Sequence, residues 1–155
     1  MIQLAPGDLV AVTARGRYYY ALIIERIRMF GGSWTFAFHR TSESLLAPEA
    51  LLDGSGSGFN AFVDFIWAKR EKRLVRLARQ VDASLFRGPG RLKGTHALRE
   101  KAVFWFIYDM AFQNLKRESH LSPDEARYPL HETIDDVLMV DRIDAGWTPE
   151  KDSRI

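Results

Sequence analysis

Hydrophobic residues along the chain keep two different periods. Leu9 to Thr13 is a short apolar run, Arg15-Gly16 supplies a turn, and Tyr18 to Ile27 is dense in aromatic and β-branched residues. That pattern predicts two strands joined by a reversal. Phe30-Gly31-Gly32-Ser33 offers backbone freedom for a second reversal, after which Trp34, Phe36 and Phe38 alternate with Thr35, Ala37 and His39. A third strand with one aromatic face follows, and such a face requires an apolar cover. The expected cover is the next apolar stretch. Phe59, Phe62, Val63, Ile66, Leu74, Leu77, Ala78 and Val81 recur at three- and four-residue spacing, which predicts one long helix starting near Phe59. The pattern thins between Lys69 and Arg73, so a break there would leave Arg73 to Val81 as a strand.

Pro48 to Leu52 reads as a helical turn, Asp53 to Gly58 as a loop, and Arg87-Gly88-Pro89-Gly90-Arg91 as irregular chain. Ala102 to Tyr108 is apolar on both alternations, the signature of a central strand buried on two faces. Ser122-Pro123-Asp124-Glu125 combines a capping hydroxyl, a proline at the first helical position and an acid three residues after the serine, which predicts a capping box. Val137 to Val140 closes the sheet as a strand or continues a helix begun at Thr133, and Gly146 to Pro149 is a turn. No internal repeat is present. Together these features predict a single α+β domain over residues 1–155: an antiparallel β-meander or SH3-like sheet, one main helix packed on it, and a further central strand. Phe36, Phe38, Phe62, Ile66, Phe104 and Phe106 are expected to share its core.

Composition narrows the chemistry. With 155 residues, 46% hydrophobic and 27% charged, the chain can bury enough apolar surface to offset chain entropy. It has no cysteine, which removes disulfides, thiolate metal sites and cysteine nucleophiles together. The longest strongly apolar run, Ala102 to Tyr108, is far short of the roughly 20 residues a membrane-spanning helix needs. No membrane association is expected, and without a basic leader the expected location is cytoplasmic. The formal net charge of +2 hides an asymmetry, because residues 1–100 are basic and residues 101–155 acidic.

Catalytic and cofactor motifs do not close. The segment Gly54-Ser55-Gly56-Ser57-Gly58 fails the dinucleotide fingerprint at Phe59, lacks the Gly-Lys-Ser/Thr ending of a P-loop, and has glycine where a nucleophile elbow needs serine. In Gly88 to Thr95, Lys93 precedes Gly94 rather than following it, and Pro89 removes a donor amide. The four histidines, His39, His96, His120 and His131, form no i, i+4 pair, although His120, His131, Asp135 and Asp136 could converge in space on a metal. No cofactor, no metal and no catalysis are expected. Two charged segments are candidate binding surfaces. Lys69, Arg70, Lys72, Arg73, Arg76 and Arg79 would line a helix able to track a phosphate backbone, or form a solvated face. Asp135, Asp136, Asp141 and Asp144 near Trp147 would receive a basic protein, with charge steering the encounter and the aromatic anchoring it.

Gly7-Asp8-Leu9-Val10-Ala11-Val12 followed by Arg17-Tyr18-Tyr19-Tyr20-Ala21-Leu22-Ile23 resembles the opening hairpin of small α+β immunity proteins from bacterial polymorphic toxin systems; a Gly-Asp start is shared with many SH3-like barrels. The resemblance covers about the first 40 residues. It implies a protein that protects a cell by binding and blocking a cognate toxin, and it carries over no contact residue. The expected function is therefore non-enzymatic protein binding of the immunity type through Asp135, Asp136, Asp141, Asp144 and Trp147. Nucleic-acid binding through residues 69–79 is the alternative.

Overall fold

The computed structural model describes residues 2–27, 32–98 and 101–155, with side chains over 2–27, 32–95 and 104–155. In chain order its strands are β1 (Leu9–Ala14), β2 (Arg17–Arg26), β3 (Ser33–Ser42), β4 (Gly58–Asp64), β5 (Leu74–Ala78), β6 (Arg91–Leu98), β7 (Lys101–Asp109), β8 (Asn114–Glu118) and β9 (Thr133–Asp135). Its helices are α1 (Pro48–Leu52), α2 (Ile66–Arg70), α3 (Pro123–Ala126) and α4 (Asp136–Asp144). The fold is mixed α+β. The chain divides into two compact units, Met1–Arg87 with Thr133–Gly146, and Gly88–Glu132 with Trp147–Ile155. Among the described residues no helix is long and apolar enough to cross a membrane.

In the first unit β1 to β4 form an antiparallel meander and β5 returns to pair with β1, giving the order β5-β1-β2-β3-β4 of an SH3-like sheet. β9 extends it by pairing parallel with β4. Ala14 pairs with Arg17, so Arg15 and Gly16 alone make the first turn, at φ 53° and 70°. Two positive φ angles in a two-residue loop are the type I′ geometry whose twist matches the flanking strands. β2 is central, and Tyr19 to Ile24 are buried without interruption. The reversal expected at Phe30 to Ser33 falls partly outside the described residues.

The expected long helix from Phe59 is not formed. Phe59 to Asp64 lie in β4, α2 occupies only Ile66–Arg70, and the alternative strand after Arg73 is realised as β5. β4 is buried on both faces, with Phe59, Asn60, Ala61, Phe62 and Val63 all inside. An apolar run of that kind satisfies helical spacing and strand burial equally, and pairing with β3 decides the outcome. The aromatic stripe of β3 is covered instead by the short 3₁₀ turn Ser84–Phe86. The Phe86 ring lies 5.1 Å from Phe36 and 5.6 Å from Phe38, and Trp34 packs at 4.6 Å on Phe62. Trp34 Nε1 donates to the Arg87 carbonyl (3.1 Å) and Asn60 Nδ2 to the Phe86 carbonyl (2.7 Å), which fixes that cover. Ile66 is exposed, and Phe104 and Phe106 belong to the second unit, so the expected six-residue core is divided.

Gly58 opens β4 where the sheet leaves no room for a side chain. A Cβ there would overlap the Ala37 carbonyl oxygen and the Phe36 ring, whereas one on Gly56 would meet only Phe38 Cδ1 at 3.9 Å. The glycine-rich segment thus ends in a packing requirement. Gly58→Ala is expected to destabilise by about 1–3 kcal/mol and Gly56→Ala to change stability by less than about 0.5 kcal/mol, compared by urea denaturation; equal effects would refute the assignment.

In the second unit β7 is the central strand of the order β6-β7-β8. Trp105 and Ile107 are buried, while Phe104, Phe106 and Tyr108 are half-buried on the other alternation. Arg117 from β8 lies 3.9 Å above the Phe104 ring, its guanidinium sheltering that side. The capping box forms as expected: Glu125 N donates to Ser122 Oγ (3.2 Å) and Ser122 N to Glu125 Oε1 (2.9 Å). Lys93 of β6 is fully buried. Its ammonium donates to the carbonyls of Ala126 (2.5 Å) and Pro149 (2.7 Å) and lies 5.6 Å from the Trp105 ring centroid. Lys93 therefore ties the Pro149–Lys151 turn to β6, with two of its three ammonium protons committed to backbone carbonyls.

Candidate binding surface

The acidic segment is largely consumed by the fold. Asp135 caps α4, accepting from Leu138 N at 2.8 Å, and Asp136 is 0% exposed with its Oδ2 2.9 Å from Arg73 Nη2. Asp141 and Asp144 both receive the Arg15 guanidinium, and Asp144 also accepts the Tyr19 hydroxyl at 2.9 Å. Burial and the Asp144 carboxylate push the Tyr19 phenol above its ordinary pKa. Trp147 is half-buried and belongs to the other unit. Asp136 is thus corrected from partner contact to interior counter-ion, because a carboxylate at the first turn of α4 has Arg73 within reach and no water.

The basic set also divides. Arg73 is held by Glu71 (2.5 Å) and Asp136, and Arg76 by Asp8 (3.1 Å) and the Gln3 carbonyl. These arginines precede or lie within β5, so they do not continue a helical stripe with Lys69. Lys69, Arg70, Lys72 and Arg79 have no carboxylate within ion-pair distance among the described residues. Lys69 and Arg70 lie in the last turn of α2 and Lys72 just follows it. Its first amide, from Ile66, is accepted by Asp64 Oδ1 at 3.0 Å, and Ala68 faces inward at 0% exposure. Lys72 at φ 56° ends the turn and sends the chain into β5.

So short a helix can bury only one side. Ile66 and Trp67 point outward, 38% and 53% exposed, and the Arg70 guanidinium lies 5.4 Å from the Trp67 ring centroid. An apolar groove of about 400 Å³ lined by Ile2, Leu74 and the stems of Lys69, Arg70 and Lys72 adjoins them. α2 therefore presents an aromatic anchor, an aliphatic flank and unpaired cations. Sequence reading found the cations and missed the anchor. The available signal was Ile66-Trp67 set directly against Lys69-Arg70, two large apolar groups that a solvated face would not carry.

Among the described residues the histidines are dispersed. His39 is half-buried, with Nδ1 3.2 Å from Ser57 Oγ, and His131 stacks on Tyr108 at 4.4 Å in the second unit. Burial lowers the His131 pKa. His120 is exposed, and His96 lies outside the described side chains. Among the described residues no three His, Asp or Glu side chains are grouped to hold an ion. Compared with known proteins, the chain matches no family model, no curated protein and no solved structure.

Proposed function

We propose that the protein is a non-enzymatic binding protein of the immunity type, which neutralises a cognate toxin by seating an acidic, partly apolar surface of that toxin on α2. The supporting observation is Trp67, half exposed under the Arg70 guanidinium and flanked by Ile66, Lys69 and Lys72. Tryptophan and arginine are the residue types that most often dominate binding energy at protein interfaces. Unpaired cations around such an anchor select a partner of opposite charge and speed its approach. The docking face therefore moves from residues 135–147 to α2. The resemblance of the Gly7 to Ile23 hairpin supports the immunity reading. A second reading, single-stranded nucleic acid, is favoured by one observation: Trp67 also offers a stacking platform beside cations.

The test uses the proteins encoded by the genes adjacent to this one as candidate partners. Trp67→Ala and Arg70→Glu are each expected to weaken binding roughly thirtyfold or more, the scale of a hot-spot residue, and to abolish rescue of growth on co-expression. Their melting temperatures should match wild type because both side chains are largely outside the core. Undiminished rescue by both variants overturns the reading. Salt-sensitive retention of generic RNA on filters, lost in Trp67→Ala, would transfer the surface to nucleic acid.

A further inference from the structure

Where the strand ends of the first unit meet α2, a cavity of about 350 Å³ is lined by Gln3, Leu4, Arg26, Ser33, Asp64 and Lys69 among others. Arg26 comes from the last position of β2 and Lys69 from the closing turn of α2. Both cations border one recess, and among the described residues neither has a hydrogen-bonded or ion-paired carboxylate. Asp64 is the one acidic residue in the lining, and its Oδ1 already accepts the Ile66 amide at 3.0 Å. Two like charges facing a partly enclosed space repel each other more strongly than they would in water. Burial, and then the charge of Arg26, lower the Lys69 pKa, so the ammonium is held there at a cost in free energy.

We infer that this cavity is a binding site for a small phosphate-bearing molecule, whose phosphate group lies between Arg26 and Lys69. A bound dianion would relieve the repulsion and add counter-charge beyond the partial support that Asp64 gives Lys69. Charge-assisted bonds from a guanidinium and an ammonium to phosphate oxygens are the strong class of hydrogen bond. The size is at the lower end of pockets that enclose small ligands, enough for a phosphate and a short attached group. The site shares Lys69 with the docking surface proposed above, but Trp67 is not part of its lining, and it does not depend on that function.

Inorganic phosphate is the probe, titrated into the intact protein by calorimetry against sodium chloride of matched ionic strength. Saturable binding is expected, weakened roughly tenfold or more by Arg26→Gln or Lys69→Met, as loss of a hydrogen bond to a charged group implies. Asp64→Asn keeps the acceptor for the Ile66 amide while removing the only acid, and should tighten binding. At alkaline pH the heat should depend on the ionisation enthalpy of the buffer, because the bound anion returns a proton to Lys69. Trp67→Ala should bind phosphate as wild type does, which separates this site from the docking face. If Lys69→Met does not fold, Arg26→Gln and Asp64→Asn decide alone. Absence of saturable binding, or binding left unchanged by Arg26→Gln and Asp64→Asn, overturns the inference.

Discussion

Replacing Arg73 with methionine is expected to destabilise the first unit by about 3–5 kcal/mol, the usual consequence of removing one partner from a buried ion pair. Asp136 is 0% exposed, and its Oδ2 depends on Arg73 Nη2 at 2.9 Å while its Oδ1 has no hydrogen-bond partner among the described residues. Without the guanidinium a carboxylate remains in the interior with neither water nor counter-charge. The double variant Arg73→Met, Asp136→Leu should recover most of the loss, because the desolvation penalty disappears along with the attraction. Midpoints of urea denaturation for the two single variants and the double variant measure the coupling. A loss below about 1 kcal/mol in Arg73→Met, the range of an exposed pair, would show that Asp136 is solvated. The same residue was a candidate phosphate contact on sequence grounds, so its effect separates a structural arginine from a binding one.

Stability of the second unit is expected to rise with pH between about 8 and about 10.5, opposite to the usual alkaline loss. Burial pushes the Lys93 pKa down from 10.5 to about 8, against the partial support of Asp152 and Glu150 and with added repulsion from Arg154. Across that window the unfolded chain holds the proton and the folded chain has released it, so folding becomes more favourable as pH increases. Below pH 8 both states are protonated and the full penalty, roughly 3 kcal/mol for such a shift, weighs on the fold. Lys93→Met removes the titration. It also strands the carbonyls of Ala126 and Pro149, so the informative quantity is the slope against pH rather than stability at one pH. The difference between wild type and Lys93→Met should climb by up to about 3 kcal/mol from pH 8 to 10.5. A flat difference would mean that Lys93 titrates at its ordinary value.

Elements with one dominant local signal were legible in the sequence. The Arg15-Gly16 turn, the three opening strands and the Ser122–Glu125 capping box all rest on contacts a few residues apart or on strict alternation. Phe59 to Val63 was misread because a strand buried on both faces has no alternation to show. β6 was hidden behind its own Gly94 and the Gly88-Pro89-Gly90 stretch just before it, and β8 behind polarity, since Asn114 to Arg117 are all exposed. The pairing of the acidic residues was hidden for a different reason. Arg15 to Asp144 and Arg73 to Asp136 are separated by more than 60 residues, and no spacing rule reveals which charges a fold will neutralise internally. Trp67 became visible only once α2 proved too short to bury both its sides.

The interleaving of the two units bears on how the chain acquires its structure during synthesis. Residues 88–132 emerge from the ribosome after the meander and before β9 and α4, which supply the sixth strand and the Asp136 partner of Arg73. The nascent meander must therefore persist with its β4 edge open while an unrelated sheet is being made. The second unit waits in turn for Pro149, the acceptor of the Lys93 ammonium, which is translated after α4. Neither unit is a contiguous piece that can be released by truncation, and removal of residues 147–155 would deprive β6 of its clasp.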